Sequence, residues 1–288
     1  MLQQKSDPST VQSAQSRPSE LKGAGVEGEL NFIIADGRKP FSHQYDPPPG
    51  QPQRSHQYEN RRVFIQDGRP VADTLSVDRE GFALVSHVTK VADLYDEAAL
   101  RDSYYPETEA LLKAETGASK IVIFDHTIRT SHQRTRGVGL PREAVLRVHN
   151  DYTVKSGPQR VRDLVPEEAE ARLKKRFAII NVWRPIVGPL QQFPLALGDA
   201  ASLAVDDILA TDLIYPDRVG EIYSIAYNPA QRWFYFPEMS RDEVVLLKTF
   251  DSDPARARFS AHGAFADPNF PNPEVLRESI EIRALVFF

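Results

Sequence analysis

Arg176-Phe177-Ala178-Ile179-Ile180-Asn181-Val182-Trp183 reads as a β-strand, an apolar run rich in β-branched and aromatic residues. The chain around it repeats that reading. Upstream lie Lys120-Ile121-Val122-Ile123-Phe124-Asp125 and Val145-Leu146-Arg147-Val148-His149. Downstream, residues 221–227 and 231–236 flank Asn228-Pro229-Ala230, a hairpin signal, and residues 244–250 and 279–287 complete the set. One helix, over 166–175, interrupts them. Many strands and few helices predict a mainly β protein with flanking helices, a sandwich or barrel of antiparallel sheets.

The first part of the chain is more broken. Residues 1–28 are rich in Gln, Ser and Pro, lack apolar periodicity, and read as a disordered tail. Order is expected from Leu30-Asn31-Phe32-Ile33-Ile34. Pro47-Pro48-Pro49-Gly50 marks residues 40–60 as a long surface loop. Asp67-Gly68, between residues 62–66 and Arg69-Pro70-Val71, predicts a second hairpin. Helices are expected over 93–104 and over 106–116, the latter stopped by Gly117. The division that results is a tail (1–28) and a single domain over 29–288. That domain comprises an N-terminal extension (29–120) and a β core (121–288).

Composition narrows the chemistry. The 288 residues hold no Cys, 22 Pro and 15 Gly, with 41% hydrophobic residues and a net charge of -5. The acidic balance disfavours a nucleic-acid partner. No apolar run reaches the about 18 residues of a membrane span, and no apolar leader is present, so a cytoplasmic protein is expected. Without cysteine there are no disulfides, thiolate metal sites or Cys nucleophile, so any metal must rest on His, Asp, Glu or carbonyl oxygens. Gly23-Ala24-Gly25-Val26-Glu27-Gly28 matches the dinucleotide fingerprint by letter. It lacks the strand before and the helix after that the chemistry requires. No nucleophile-elbow, P-loop, kinase or HExxH pattern occurs.

His149-Asn150-Asp151 is the useful spacing. On a strand, residues i and i+2 share a face, so an imidazole and a carboxylate arrive side by side. One further His would complete a 2-His-1-carboxylate set that leaves positions open, as non-haem Fe(II) oxygenases require. His262, in Arg258-Phe259-Ser260-Ala261-His262-Gly263, is that candidate. Arg277 and Ser279 share a face by the same rule. A guanidinium with a hydroxyl beside it suits the distal carboxylate of a dicarboxylate. Arg283 lies on the same face and competes for that role. His126 and His132 are additional histidines, too far along the strand from His149 to share its ion without a fold-back.

The ordered set resembles the 2-oxoglutarate-dependent Fe(II) oxygenases with a double-stranded β-helix (jelly-roll, cupin-like) core, and within them the AsaB-like hydroxylase/desaturase group. The resemblance runs from about residue 30 to the C-terminus. It is carried by Phe124-Asp125-His126-Thr127-Ile128-Arg129, Val148-His149-Asn150-Asp151-Tyr152-Thr153, Asn181-Val182-Trp183-Arg184-Pro185-Ile186 and Pro194-Leu195-Ala196-Leu197-Gly198-Asp199. Further on it is carried by Arg232-Trp233-Phe234-Tyr235-Phe236-Pro237, Lys248-Thr249-Phe250-Asp251-Ser252, His262-Gly263-Ala264-Phe265 and residues 277–285. It departs at Gly198, where many relatives have Cys, and at Gly263, where Thr is common and where Gly would enlarge the pocket.

The resemblance implies Fe(II) on His149, Asp151 and His262, with 2-oxoglutarate and O₂ as co-substrates. Arg277 would pair with the C5 carboxylate of 2-oxoglutarate, assisted by Ser279. Arg129, Asn181, Trp183 and Arg184 are candidates for the substrate pocket. For the last three, an aromatic core layer with Arg184 in solvent is the equal alternative. The implied reaction is hydroxylation or desaturation of an unactivated C–H position in a small natural-product intermediate of secondary metabolism. Two other readings stay open: a silent metal- or 2-oxoglutarate-binding protein, and an O₂-independent isomerase or hydrolase of cupin type.

Overall fold

The structure, a computed structural model, describes residues 23–131 and 142–288. Most of the expected tail, and His132, lie outside the described residues. Two sheets carry the fold. One has five strands in the order β4 (Phe82–Ser86), β12 (Glu243–Asp251), β7 (Phe177–Pro185), β14 (Glu278–Phe287) and β5 (Lys120–Thr130). The other has nine, running β1 (Gly25–Ile33), β3 (Tyr58–Asp67), β11 (Trp233–Tyr235), β8 (Leu195–Gly198), β13 (His262–Ala264), β6 (His149–Asn150), β10 (Val219–Ile225), β9 (Ile208–Ile214) and β2 (Phe41–His43). Pairing is antiparallel except for β11 on β3 and β2 on β9. Strands from the expected N-terminal extension are built into both sheets.

The five-stranded sheet is covered on both faces, and strand alternation sorts its residues. On β7, Ala178, Ile180 and Val182 face outward with Ile280, Ile282, Ala284 and Val286 of β14. They pack under Leu111 and Leu112 of α2 (Tyr105–Thr116). The opposite face looks into the space between the sheets. There Trp183 packs with Leu195, Leu197 and Phe234 of the nine-stranded sheet. At the far end Phe177, Ile179, Leu285 and Phe287 meet Val161 of α3 (Ser156–Leu164) and Ala169 of α4 (Ala169–Arg172).

Several local expectations shift. The first strand begins at Gly25, inside the fingerprint-like stretch, where a Cβ would lie 2.6 Å from the Ile65 carbonyl oxygen. That glycine permits close strand approach and holds no phosphate. Asp67-Gly68 forms no hairpin. Gly68 has φ -80 and leads into a 3₁₀ turn, Arg69–Thr74, while β3 pairs with β1 and β11. Its missing Cβ makes room for the Phe236 ring, 2.7 Å away. The Asn228 turn does form, with Gln231 N–H donating to the Asn228 carbonyl at 3.0 Å. It joins β10 to β11, however, which are separated by three strands of the same sheet.

The two expected N-terminal helices merge. α1 (Glu97–Ala99), capped by the Asp96 carboxylate, runs through a π turn at Leu100–Tyr104 into α2, which ends at Gly117 with φ 70. Only Ala169–Arg172 of the expected 166–175 helix forms, and α3 precedes it.

Candidate active site

β6 and β13 lie side by side with His149 directly opposite His262, and the two rings are 4.5 Å apart between centroids. Asp151 follows at the end of β6. One ligand atom from each of His149, Asp151 and His262 lies within 4.8 Å of the others. The His149 Nδ1 meets the Arg147 carbonyl at 2.9 Å, and the His262 Nδ1 meets the Ser260 carbonyl at 3.2 Å. A carbonyl only accepts, so both rings can donate from Nδ1 and turn Nε2 inward, where His149 Nε2 lies 3.5 Å from Asp151 Oδ1. Donation from Nδ1 is the arrangement that frees Nε2 for a metal once one is bound.

The electrostatics suit a divalent ion. Burial, reinforced by the nearby His149, pushes His262 down to about 4, so the ring is neutral near neutral pH. Burial pushes the Asp151 carboxyl up, but the His149 hydrogen bond and the Arg283 charge outweigh it and hold the group well below its ordinary value. Asn181 Nδ2 donates to Asp151 Oδ2 at 2.8 Å. Asn150, fully buried, donates to the Tyr152 and Thr249 carbonyls at 2.6 and 2.9 Å, pinning the turn that carries both ligands to β12. Two imidazoles and one carboxylate, each fixed from behind, fit Fe(II).

Arg277 opens the inner face of β14, and Ser279, Glu281 and Arg283 follow it at alternate positions. The two arginines differ in company. Arg283 has carboxylates on every side: Asp125 at 3.0 Å, Asp151 at 3.4 Å and Glu281 at 2.5 Å. Arg277 is 2% exposed and reaches only neutral groups, the Phe193 carbonyl at 2.6 Å and the Ser279 hydroxyl at 3.2 Å. Its guanidinium lies 5.2 Å from the centre of the Trp183 ring. Burial, with Arg129 adding repulsion, drags it down to about 9. Trp183 Nε1 is buried beside it with no hydrogen-bond partner. Among the described residues Arg277 has no carboxylate within ion-pair distance, Glu281 attracting it only from farther off, and such a buried cation next to an unused donor suits an anion.

One cavity unites these groups. It is lined by Arg129, His149, Asp151, Trp183, His262, Arg277, Glu281 and Arg283, and its free volume is about 20 Å³, the size of an ion or a water molecule. Asn181 and Ser279 stand directly behind it. Gly263 lines it too, but a Cβ there would sit 3.3 Å from the Leu146 and Arg147 carbonyl oxygens. Its bareness therefore serves strand approach more than pocket volume.

Two candidates fall elsewhere. Arg184 is neither in the pocket nor in solvent. It is fully buried on the outer face and donates to the Tyr104 hydroxyl and the His87 carbonyl at 2.8 and 2.9 Å. An even-numbered position on β7 cannot reach a site built from the odd ones. His126 is also on the outer face, 2.8 Å from the Tyr105 hydroxyl and 3.2 Å from Glu97, away from His149. Asn150 and Glu281 went unassigned from sequence. The period-2 rule marks Glu281 as an inner-face residue, whereas Asn150 carries no such signal.

A family model described as an oxidoreductase/YMDC permease-like domain matches residues 30–287. The chain is 31% identical over 272 residues to the Fe(II)/2-oxoglutarate-dependent dioxygenase nvfI of Aspergillus novofumigatus, covering 91% of this chain and 96% of that one. It is 41% identical over 247 residues to the hydroxylase/desaturase asaB of Aspergillus flavus, with 80% and 82% covered. The chain belongs to this family of Fe(II)/2-oxoglutarate-dependent hydroxylase/desaturases. A solved structure of the iron and alpha-ketoglutarate-dependent endoperoxidase NvfI superposes with a TM-score of 0.84 at 29% identity, over 91% of this chain and 98% of that one. The core is thus the jelly roll of these oxygenases. The enzyme is a dioxygenase that uses Fe(II), 2-oxoglutarate and O₂, which sets aside the silent-binder and O₂-independent readings. Among the described residues, no helix is long and apolar enough to cross a membrane.

Proposed function

We propose that His149, Asp151 and His262 hold the Fe(II), that Arg277 with Ser279 binds the C5 carboxylate of 2-oxoglutarate, and that the enzyme hydroxylates or desaturates a small natural-product intermediate. The observation that carries this reading is Arg277, a buried cation in the cavity of the three candidate ligands that, among the described residues, has no carboxylate within ion-pair distance. Arg283, the competing choice, already spends its charge on Asp125, Asp151 and Glu281. Its role is to hold Asp151 ionised and oriented. Asn181 donates to the same carboxylate oxygen, Oδ2, that Arg283 reaches, and Trp183 roofs the Arg277 guanidinium and offers its free N–H.

When bound, Fe(II) with 2-oxoglutarate and O₂ supplies the oxidant that removes hydrogen from an unactivated C–H bond, leaving succinate and CO₂. The chain's share is ligand geometry, charge pairing and shielding from water. The test is iron stoichiometry and succinate release from 2-oxoglutarate. One Fe(II) per chain is expected, lost in His149→Ala and His262→Ala together with succinate formation. Full iron binding in both variants would overturn the ligand assignment.

A further inference from the structure

A second, larger cavity adjoins the first. It measures about 900 Å³ and shares Asp151 and Arg283 with the smaller one, so it opens on the proposed metal position. No other cavity described shares a proposed ligand with it.

Its charges are unevenly answered. Asp212 and Glu221 on its wall are both tied to Lys39, at 2.5 and 2.8 Å, and Asp125 is tied to Arg283. Arg142, Lys155, Arg160 and Arg218 also line it, and among the described residues none of the four has a carboxylate within ion-pair distance. Asp163 stands near them and takes a hydrogen bond from Gln159 at 2.8 Å, and Glu221 feels the Lys155 charge from beyond ion-pair distance. Arg160 lies over aromatic rings, 5.6 Å from the centre of Phe124 and 5.9 Å from that of Tyr152. Tyr152 is the residue after Asp151, and Arg160 and Asp151 line the same cavity. The rest of the wall is mixed: Leu213, Tyr215 and Ile222 form an apolar and aromatic stretch, Gln44, Ser156 and Gln159 are polar, and Val219 is 64% exposed at the rim.

We infer that the substrate is an amphiphilic carboxylic acid whose carboxylate is held by Arg160 and Lys155 and whose apolar body lies along Tyr152 and Ile222 toward Asp151. A planar guanidinium fork fixed on ring faces matches a planar carboxylate. No glycine-rich amide cradle for a phosphate lines the cavity. The inference rests on the Fe(II) reading above, since the carboxylate anchor matters only if oxidation occurs beside Asp151.

The test is calorimetric titration of the anaerobic Fe(II)/2-oxoglutarate-loaded enzyme. The probes are matched pairs of apolar acids and their methyl esters: decanoic, abietic and cholic acid. At least one acid is expected to bind about 10-fold or more tightly than its ester. The preference should fall to about 2-fold or less in Arg160→Gln with Lys155→Gln, and return in Arg160→Lys. Equal binding of acid and ester, a preference that survives in the double variant, or no acid binding at all overturns the inference. The visible charge-transfer band of the loaded enzyme, recorded before titration, reports on the metal reading alone. Its absence overturns that reading whatever the acids do, and its presence without acid preference overturns only this one.

Discussion

β14 presents two different surfaces a few ångströms apart. Its even positions, Ile280, Ile282, Ala284 and Val286, are completely buried and apolar and pack under α2. Its odd positions near the start, Arg277, Ser279, Glu281 and Arg283, are polar or charged and face the cavity. β7 repeats the division, with Val182 outward and Asn181 and Trp183 inward. The outer face supplies the stability that lets the inner face keep an unanswered cation and a ring of ionisable groups, none of which an unaided core would tolerate.

This division can be broken from either side. Leu112→Ala removes a fully buried side chain from the outer cluster. It should cost about 2–5 kcal/mol of stability in chemical denaturation, while 2-oxoglutarate affinity per folded molecule stays unchanged. A parallel loss of affinity would show that the two faces are coupled.

The next effect belongs to pH. His262 is pushed down to about 4 in the folded protein from an ordinary 6.5. Between those values the unfolded chain takes up a proton and the native one does not, so metal-free protein loses stability as pH falls from about 6.5 to about 4. The loss should approach about 3 kcal/mol at most. Asp151, held low, adds to the loss only at still lower pH. Denaturation curves at pH 7 and 5 should differ less in His262→Gln than in the natural sequence, and an equal difference would remove the histidine from the account.

Asn181→Ala frees one oxygen of Asp151 from a neighbouring donor. Iron affinity should fall about 10–100-fold, the usual consequence of losing a partner behind a ligand, measured by competition with a chelator. The smallest effect is on the solvent side of α2. There Lys113→Ala breaks an exposed pair with Glu109 and should change stability by about 0.5 kcal/mol or less, with no change at the site.

The same alternation explains what was legible beforehand. His149 with Asp151, and Arg277 with Ser279, are period-2 pairs, and a two-residue spacing on an extended chain survives into three dimensions. Long apolar strands such as β7 and β12 were equally plain. Strand partners were not: the Asn228 turn forms as expected, yet β10 and β11 have other neighbours, because a turn signal is local and sheet order is not. α3 carries Gly157 and Pro158 in its first turn, residue types that weaken a helical pattern. A Cβ at Gly157 would lie 2.7 Å from the Phe250 ring, so tertiary packing selects the glycine. The short strands β8 and β13 offered too few residues for a pattern. Arg184 takes neither expected place, pocket or solvent, because Tyr104 and backbone carbonyls satisfy it inside the outer layer.

The central claim is that the inner face of β14 binds 2-oxoglutarate through Arg277, beside iron on His149, Asp151 and His262. Anaerobic titration of 2-oxoglutarate into the Fe(II)-loaded protein, followed by the weak visible charge-transfer band, tests it most directly. The account expects a saturable band in the natural sequence and none in His149→Ala. In Arg277→Gln the midpoint should move about 10–100-fold higher. An undiminished band in His149→Ala, or an unmoved midpoint in Arg277→Gln, would contradict it.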